Sequence, residues 1–446
     1  MFQRNAMLLL HDWKAKTNRK PLIIRGARQV GKTTLINEFA KGFDTYLHLN
    51  LEKTADKELF DKNDSIEEVL MSIYLLQNKP KNNGSVLLFI DEIQNSARAV
   101  ALLRYFYEEL PQIYVIAAGS LLESLIDRQI SFPVGRVEYL ALRPCSFSEF
   151  LGAVGETELK NAFETISLPA SAHGKTMRLF NEFVLVGGMP EAVAFYAQTK
   201  DLVSLNGIYE TLLTGYRDDS EKYAQNSSAE HVIRHILTYG WQYAGQRIKF
   251  EKFANSNYKS REMGEAFRTL EKALLLELSY PATSALPPIQ PDLKKSPKLL
   301  WLDTGLVNYS AGLQKELFGI KDISESWKGK IAEHIVGQEI LSLSTKVSEK
   351  RYFWVREARN SQAELDFIFQ YEGQVIPIEV KSGNCSTLKS LHLFMDSSRQ
   401  SVAIRFWNNP VSNDLITLPS GKKYTLYNLP FYYACQLEAF LKKQNL

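Results

Sequence analysis

Residues Gly26-Ala27-Arg28-Gln29-Val30-Gly31-Lys32-Thr33-Thr34 complete the pattern G-x-x-x-x-G-K-[ST]. They stand directly after the apolar run Leu22-Ile23-Ile24 and open a helical pattern near Lys32. That context is the one in which such a loop binds phosphate. Glycines let the backbone curl its N–H groups around a β-phosphate, and the helix N-terminus adds a favourable dipole. Lys32 is placed to bridge β- and γ-oxygens, and the Thr33 hydroxyl to ligate Mg²⁺. The chemistry expected of this group is binding of ATP with Mg²⁺.

About sixty residues on, Leu87-Leu88-Phe89-Ile90 ends in Asp91-Glu92. Two carboxylates at the C-terminal edge of a buried strand lie where ligands sit in open α/β sheets. Asp91 is placed to hold magnesium through water, and Glu92 to orient and activate the attacking water. The next apolar run, Ile113 to Ala118, ends in Gly119-Ser120, where Ser120 is either a γ-phosphate sensor or a plain helix N-cap. Arg136, after Gly135, is either an arginine finger delivered to a neighbouring copy's nucleotide or a surface arginine.

A third group lies near the C-terminal end. Glu364-Leu365-Asp366 falls on one predicted strand and Glu379-Val380-Lys381 on the next, with Glu333 on a preceding helix. Alternation puts Glu379 and Lys381 on one strand face, and a hairpin would set Asp366 beside them. Asp366 and Glu379 would then hold Mg²⁺ while Lys381 polarises a water for attack on a phosphodiester. This looks like the D-(x)n-E-x-K arrangement of restriction-type nucleases; the other reading is a buried charge network. His231 and His235, four apart, lack a third ligand and read as helix residues.

The elements that must position these groups follow from apolar periodicity. Runs apolar on both faces belong to buried parallel strands, and the β–α–β–α–β rhythm over about 20–120 predicts a doubly wound sheet. Strand signals stop near 150, and 156–240 reads as helices interrupted at Gly187-Gly188-Met189-Pro190. Three short helices over 231–280 with a following ribbon would make a winged-helix-like unit. Its Lys249, Lys252, Lys259, Arg261, Arg268 and Lys272 would face DNA phosphates or, interleaved with glutamates, form a solvated mixed face. A helix around Lys328–Leu343 and strands over Tyr352–Arg356, Glu364–Tyr371 and Gln374–Lys381 predict a separate C-terminal α/β domain.

The nucleotide motifs resemble those of the AAA-type ATPases. Their order is similar to a bacterial and archaeal family in which an AAA module precedes a domain of unknown function 4143. The resemblance extends through Leu140-Ala141-Leu142-Arg143-Pro144-Cys145-Ser146-Phe147-Ser148-Glu149-Phe150-Leu151, Gly187-Gly188-Met189-Pro190-Glu191-Ala192 and Leu302-Asp303-Thr304-Gly305-Leu306. It continues through Gly329-Lys330-Ile331-Ala332-Glu333 and Pro377-Ile378-Glu379-Val380-Lys381-Ser382-Gly383. It implies an ATP-hydrolysing protein and leaves the client unassigned.

Composition bounds these readings. With 45% apolar and 23% charged residues the chain has the make-up of a globular protein. Its net charge of +3 excludes a general polyanion binder, so a DNA role must come from a local patch. Three scattered cysteines, Cys145, Cys385 and Cys435, exclude a disulfide framework and fit a reducing compartment. The apolar run at the N-terminus is short for a signal peptide and no 18-residue apolar stretch occurs, which predicts a soluble cytoplasmic protein without membrane association.

The expected organisation is an AAA-type P-loop ATPase domain over 1–155, a helical lid and winged-helix-like region over 156–295, and a restriction-endonuclease-like domain over 296–446. The expected function is Mg²⁺-dependent ATP hydrolysis coupled to DNA binding or processing, with self-association if Arg136 acts in trans. The alternative is an ATP-driven switch on a protein partner with an inactive nuclease-like fold. A phosphotransferase is disfavoured by the water-activating Asp91-Glu92 pair.

Overall fold

The computed structural model describes residues 2–446 apart from 64, 82–83, 120–132, 225, 313–328, 359–360 and 382–386. Five strands, β1 (Leu22–Arg25), β2 (Thr45–Asn50), β3 (Val86–Asp91), β4 (Ile113–Gly119) and β5 (Glu138–Ala141), form a parallel sheet in the order β2-β3-β4-β1-β5. All residues of β1 and β3 are buried, which is why they read as continuous apolar runs. Alternation deals their side chains to two cores. Leu22, Ile24, Leu87 and Phe89 pack in one, while Ile23, Leu88 and Ile90 pack with Leu47 and Phe106 in the other. The phosphate loop and the Asp91-Glu92 pair therefore emerge from the same, C-terminal, edge of the sheet.

Beyond β5 the chain is helical from Phe147–Ala153 to Ser260–Lys272, with a break at Gly187 and Gly188. Gly187 has a positive φ of 67°, and Gly188 sits so close to Cys145 that a Cβ would collide with its carbonyl. The turn is pinned by Asp303, whose carboxylate accepts from the Gly188 amide at 2.5 Å and caps the helix Thr304–Ser310 through the Leu306 amide at 3.0 Å.

Strand β6 (Leu276–Ser279) follows, then the short β7 (Pro281–Ala282) and β8 (Lys298–Trp301). β6 and β8 pair antiparallel, Leu276 with Trp301 and Ser279 with Lys298. Trp301 stacks on Trp241 with ring centroids 3.8 Å apart. Lys298–Trp301, grouped by the sequence pattern with the C-terminal domain, thus completes a hairpin of the region before it. Pro281–Ala282, at the start of a proline-rich stretch, adds an edge strand to the C-terminal sheet.

That sheet contains β9 (Tyr352–Ala358), β10 (Ser361–Tyr371), β11 (Gln374–Val380), β12 (Val402–Trp407), β13 (Ser412–Thr417) and β14 (Lys423–Pro430), ordered β13-β14-β12-β11-β10-β9-β7. It is mixed: β9, β10 and β11 run antiparallel in sequence, then β12 joins β11 and β14 joins β12 in parallel. The helix Lys330–Ser342 packs in the core with Phe367, Ile376 and Ile378, and the helix Lys389–Ser397 in another core with Leu365 and Val375. The chain then returns to the helical region, where Tyr433 stacks on Phe163 at 5.6 Å. Phe431, Tyr432 and Tyr433 are core residues in a 3-10 stretch. The overall class is α/β, with a parallel P-loop-type sheet, a helical middle and a mixed C-terminal sheet.

Glu339, fully buried on the helix Lys330–Ser342, accepts from the Phe147 amide at 2.8 Å and so ties this helix to the first domain. Burial, reinforced by the charge of Glu149, pushes its carboxyl up to about 8. The folded state therefore keeps a proton that the unfolded state loses near 4.5, and stability falls as pH rises from about 4.5 to 8. Glu339→Gln, which imitates the protonated acid, should flatten that fall by about 1.4 kcal/mol per pH unit. Urea unfolding at several pH values in this window measures the slope; equal slopes for the two proteins would refute the buried proton.

Candidate functional site

The phosphate loop is built by backbone constraint. Gln29 and Gly31 have positive φ, 63° and 89°, turning successive amides toward one side before the helix Lys32–Ala40 begins. Gly26 lies against Leu142 and Val30, and a Cβ there would collide with the Leu142 carbonyl. Lys32 is buried, its ammonium donating to the carbonyls of Gly26 at 3.0 Å and Ala27 at 2.9 Å. Burial pulls its proton affinity below the usual lysine range, and the charges of Glu92 and Asp91 oppose that.

Thr33 and Asp91 meet across the sheet edge. The Thr33 hydroxyl donates to Asp91 Oδ2 at 2.8 Å, while Asp91 Oδ1 accepts from the Glu92 amide at 3.0 Å. Glu92 adopts a left-handed backbone, φ 51°, an uncommon conformation for a non-glycine residue. Its carboxylate accepts from the Gln94 side-chain amide at 2.5 Å. A cleft of about 980 Å³ is lined by Arg28, Gln29, Gly31, Lys32, Thr33, Thr34 and Glu92, and also by Phe2, Met7, His11, Pro190 and Glu191. It is large enough for a nucleotide.

The other residues singled out around this cleft are distributed differently. Arg28 turns to the helical region, pairing with Asp219, while the Tyr216 hydroxyl donates to the Arg28 carbonyl at 3.1 Å. Arg136 is on the surface, bound to Glu108 at 2.7 Å, and does not line the cleft of its own chain. Ser120 lies outside the described residues, as do Ser382, Gly383 and Cys385. His235 packs against Tyr239 and Tyr258, and its ring nitrogen lies 3.3 Å from the Phe253 carbonyl.

The C-terminal carboxylates assemble from three elements. β10 and β11 pair with Phe367 opposite Ile378, so Asp366 and Glu379 face each other one step further along. A register shift between Leu365 and Ile368 interrupts the pairing with β9 around Asp366. Asp366 Oδ2 accepts from the Val380 amide at 2.7 Å, and Lys381 Nζ reaches Glu379 Oε1 at 2.5 Å. Burial raises the Asp366 and Glu379 carboxyls, the latter to about 7, and burial together with Asp366 raises Glu333 to about 8. Lys381 is held above its ordinary value by Glu379 despite partial burial.

One participant is missing from the sequence motif. Lys298, on β8, is 3% exposed along its side chain and contacts Glu333 at 2.5 Å and Glu364 at 2.9 Å. Burial alone would lower its proton affinity; Glu333, Asp366 and Glu364 together raise it above the lysine range. The only hint in the sequence is a charged residue opening the apolar run Leu299-Leu300-Trp301.

Gly26→Ala should destabilise the ligand-free protein by about 1–3 kcal/mol, because the added methyl meets a backbone carbonyl that cannot rotate away. Thermal unfolding without nucleotide checks this, and an unchanged transition would show that the loop is not held against Leu142.

Residues 18–151 match a family model described as an AAA domain, 177–317 a domain of unknown function 8612, and 328–424 a domain of unknown function 4143. No curated protein matches. Among solved structures, the Walker-type ATPase paby2304 of Pyrococcus abyssi is 14% identical, with 70% of this chain and 96% of that one covered at a TM-score of 0.43. The Aeropyrum pernix Orc1 protein in complex with DNA is 11% identical over 70% and 93% at 0.30. The Thermotoga maritima RuvB Holliday junction branch migration motor is 14% identical over 62% and 90% at 0.28. With its phosphate loop, its parallel sheet and the two domain matches at either end, the chain joins an AAA domain of the P-loop type to a C-terminal domain of unknown function 4143.

Proposed function

We propose that the chain hydrolyses ATP with Mg²⁺ and couples that cycle to DNA binding or processing through its C-terminal domain. The observation that carries the first half is the Thr33 hydroxyl 2.8 Å from the Asp91 carboxylate, beside a phosphate loop and a cleft that Glu92 lines. Loop amides from Gly26 to Gly31 and the N-terminus of the helix Lys32–Ala40 would hold phosphate oxygens, with Lys32 against the β- and γ-groups. The oxygens of Thr33 and Asp91 suit Mg²⁺, which prefers hard oxygen ligands and would supply neutralisation of phosphate charge. Glu92 would orient the attacking water and take its proton, with the Gln94 amide fixing the carboxylate.

The second half rests on Glu333, Asp366, Glu379 and Lys381, brought together as in restriction-type nucleases. The helices Ser227–Tyr239 and Ser260–Lys272 followed by the β6–β8 hairpin suit a winged-helix plan. The basic side chains there, Lys249, Lys252, Lys259, Arg261, Arg268 and Lys272, are exposed, and Arg261 is paired with Glu265 at 2.9 Å. A trans-acting Arg136 would need to leave Glu108 for a neighbour's nucleotide. The reading in which the chain is an ATP-driven switch on a protein partner is favoured by one observation: Lys298 already neutralises part of the C-terminal acidic group. Among the described residues no helix is long and apolar enough to cross a membrane.

Two measurements separate these readings. Lys32→Ala should abolish the thermal shift given by MgATP, and Glu92→Gln should retain the shift while turnover falls by about 100-fold or more. Wild-type turnover in Glu92→Gln would assign the water to another group. ATP turnover and DNA length should then be followed with single-stranded, duplex and branched DNA at two salt concentrations. Salt-sensitive stimulation, with cleavage lost in Lys381→Ala, is expected of the nucleic-acid enzyme; turnover indifferent to DNA would favour the protein-directed switch.

A further inference from the structure

The charge count of the C-terminal group is uneven. Four carboxylates, Glu333, Glu364, Asp366 and Glu379, converge on two lysines, Lys298 and Lys381. Arg247 is 3.7 Å from Glu364 but binds Glu357 more closely, at 3.0 Å. With all four ionised the group would carry two negative charges beyond its two lysines, the number that one divalent cation makes good; without a cation, burial favours protons on these carboxyls. The oxygens are divided between two halves. On one side Lys298 holds Glu333 and Glu364, its ammonium also 4.7 Å from the centre of the Phe353 ring. On the other, Glu379 uses Oε1 for Lys381, while its Oε2 is buried with no hydrogen-bond partner among the described residues. Glu379 is 4% exposed, so that oxygen is aimed into the group and away from solvent.

Lys298 does not belong to the sheet that carries the motif. It opens β8, paired with Ser279 of β6, and its backbone also bridges to Arg247. Its charge is thus delivered into the group by the hairpin of the preceding region.

We propose that Lys298 is a tethered cation standing in the position of a second metal ion. The group then takes one divalent cation, at the Asp366–Glu379 edge, and admits another at Glu333 and Glu364 only when Lys298 is withdrawn with its hairpin. The inference deepens the nuclease-like reading of this site and rests on its claim that Asp366 and Glu379 hold a divalent cation.

The test is titration of the nucleotide-free, full-length protein with MnCl₂, followed by calorimetry and by the electron paramagnetic resonance of free Mn²⁺. Wild type should show a site that Glu379→Gln removes. Lys298→Met, which keeps an unbranched apolar stem against Phe353 and deletes the charge, should gain one further Mn²⁺ or bind the first at least tenfold more tightly. Wild-type number and affinity in Lys298→Met, with the Glu379→Gln loss intact, would overturn the tethered cation and leave the metal site standing. No Glu379-dependent Mn²⁺ in either protein would overturn both. If Lys298→Met is too unstable to purify without metal, millimolar Mn²⁺ should restore a cooperative thermal transition, and failure to restore it would also count against the proposal.

Discussion

A carboxylate taken out of water must be given a cation, backbone amides or a proton, or it costs several kcal/mol. This chain places buried carboxylates where distant segments meet and draws each partner from another segment. Glu149 of the helix after β5 is held by Arg4 at 3.0 Å. Asp303 is held by the amide of Gly188, and Glu339 by the amide of Phe147. Glu277 on β6 meets Arg351, just ahead of β9, at 3.1 Å. Glu333 meets Lys298 at 2.5 Å. Apolar packing is tolerant of small shifts, whereas each of these pairs is satisfied in one arrangement only. In the arrangement described these pairs set the register of the helical middle against both flanking sheets, and the proposed withdrawal of Lys298 would break the Glu333 pair.

The nucleotide site was legible because every part of it is local to a strand end. A loop of nine residues and a pair of carboxylates after an apolar run declare themselves by spacing, and a parallel sheet brings them to one edge whatever the details of packing. The C-terminal triad was legible for a similar reason: alternation along β11 and a hairpin between β10 and β11 suffice to juxtapose Asp366, Glu379 and Lys381. What the sequence hid depends on tertiary structure. Lys298 lies 35 residues before Glu333 and on another sheet, and no periodicity links them. The left-handed backbone at Glu92 is equally invisible, since glutamate is not a residue that announces positive φ. The pairing of the apolar run at 298–301 with β6 rests on hydrogen bonding that no single-strand pattern contains.

The same hairpin also has a physical connection to the phosphate loop. Arg25, the last residue of β1, donates to the carbonyl of Lys272 at 3.0 Å, and Lys272 ends the helix that feeds β6. β6 pairs with β8, which carries Lys298. Between the strand that precedes the nucleotide and the lysine inside the acidic group there are therefore a hydrogen bond, one turn and a two-stranded ladder. Any tilt of the hairpin against the first sheet must break that bond or move both ends together.

The return of the chain to its own middle has a consequence for synthesis. Phe163, Phe147 and Phe180 form an aromatic nest on the helical region, and Tyr432 and Tyr433 pack directly onto Phe163. The ammonium of Lys443 caps it by donating to the Ile166 carbonyl at 2.7 Å. Tyr432 and Tyr433 are translated long after Phe147, Phe163 and Phe180, and at about 5–20 residues per second the delay is many seconds. Until then Phe163 lacks the aromatic covering that the finished chain gives it.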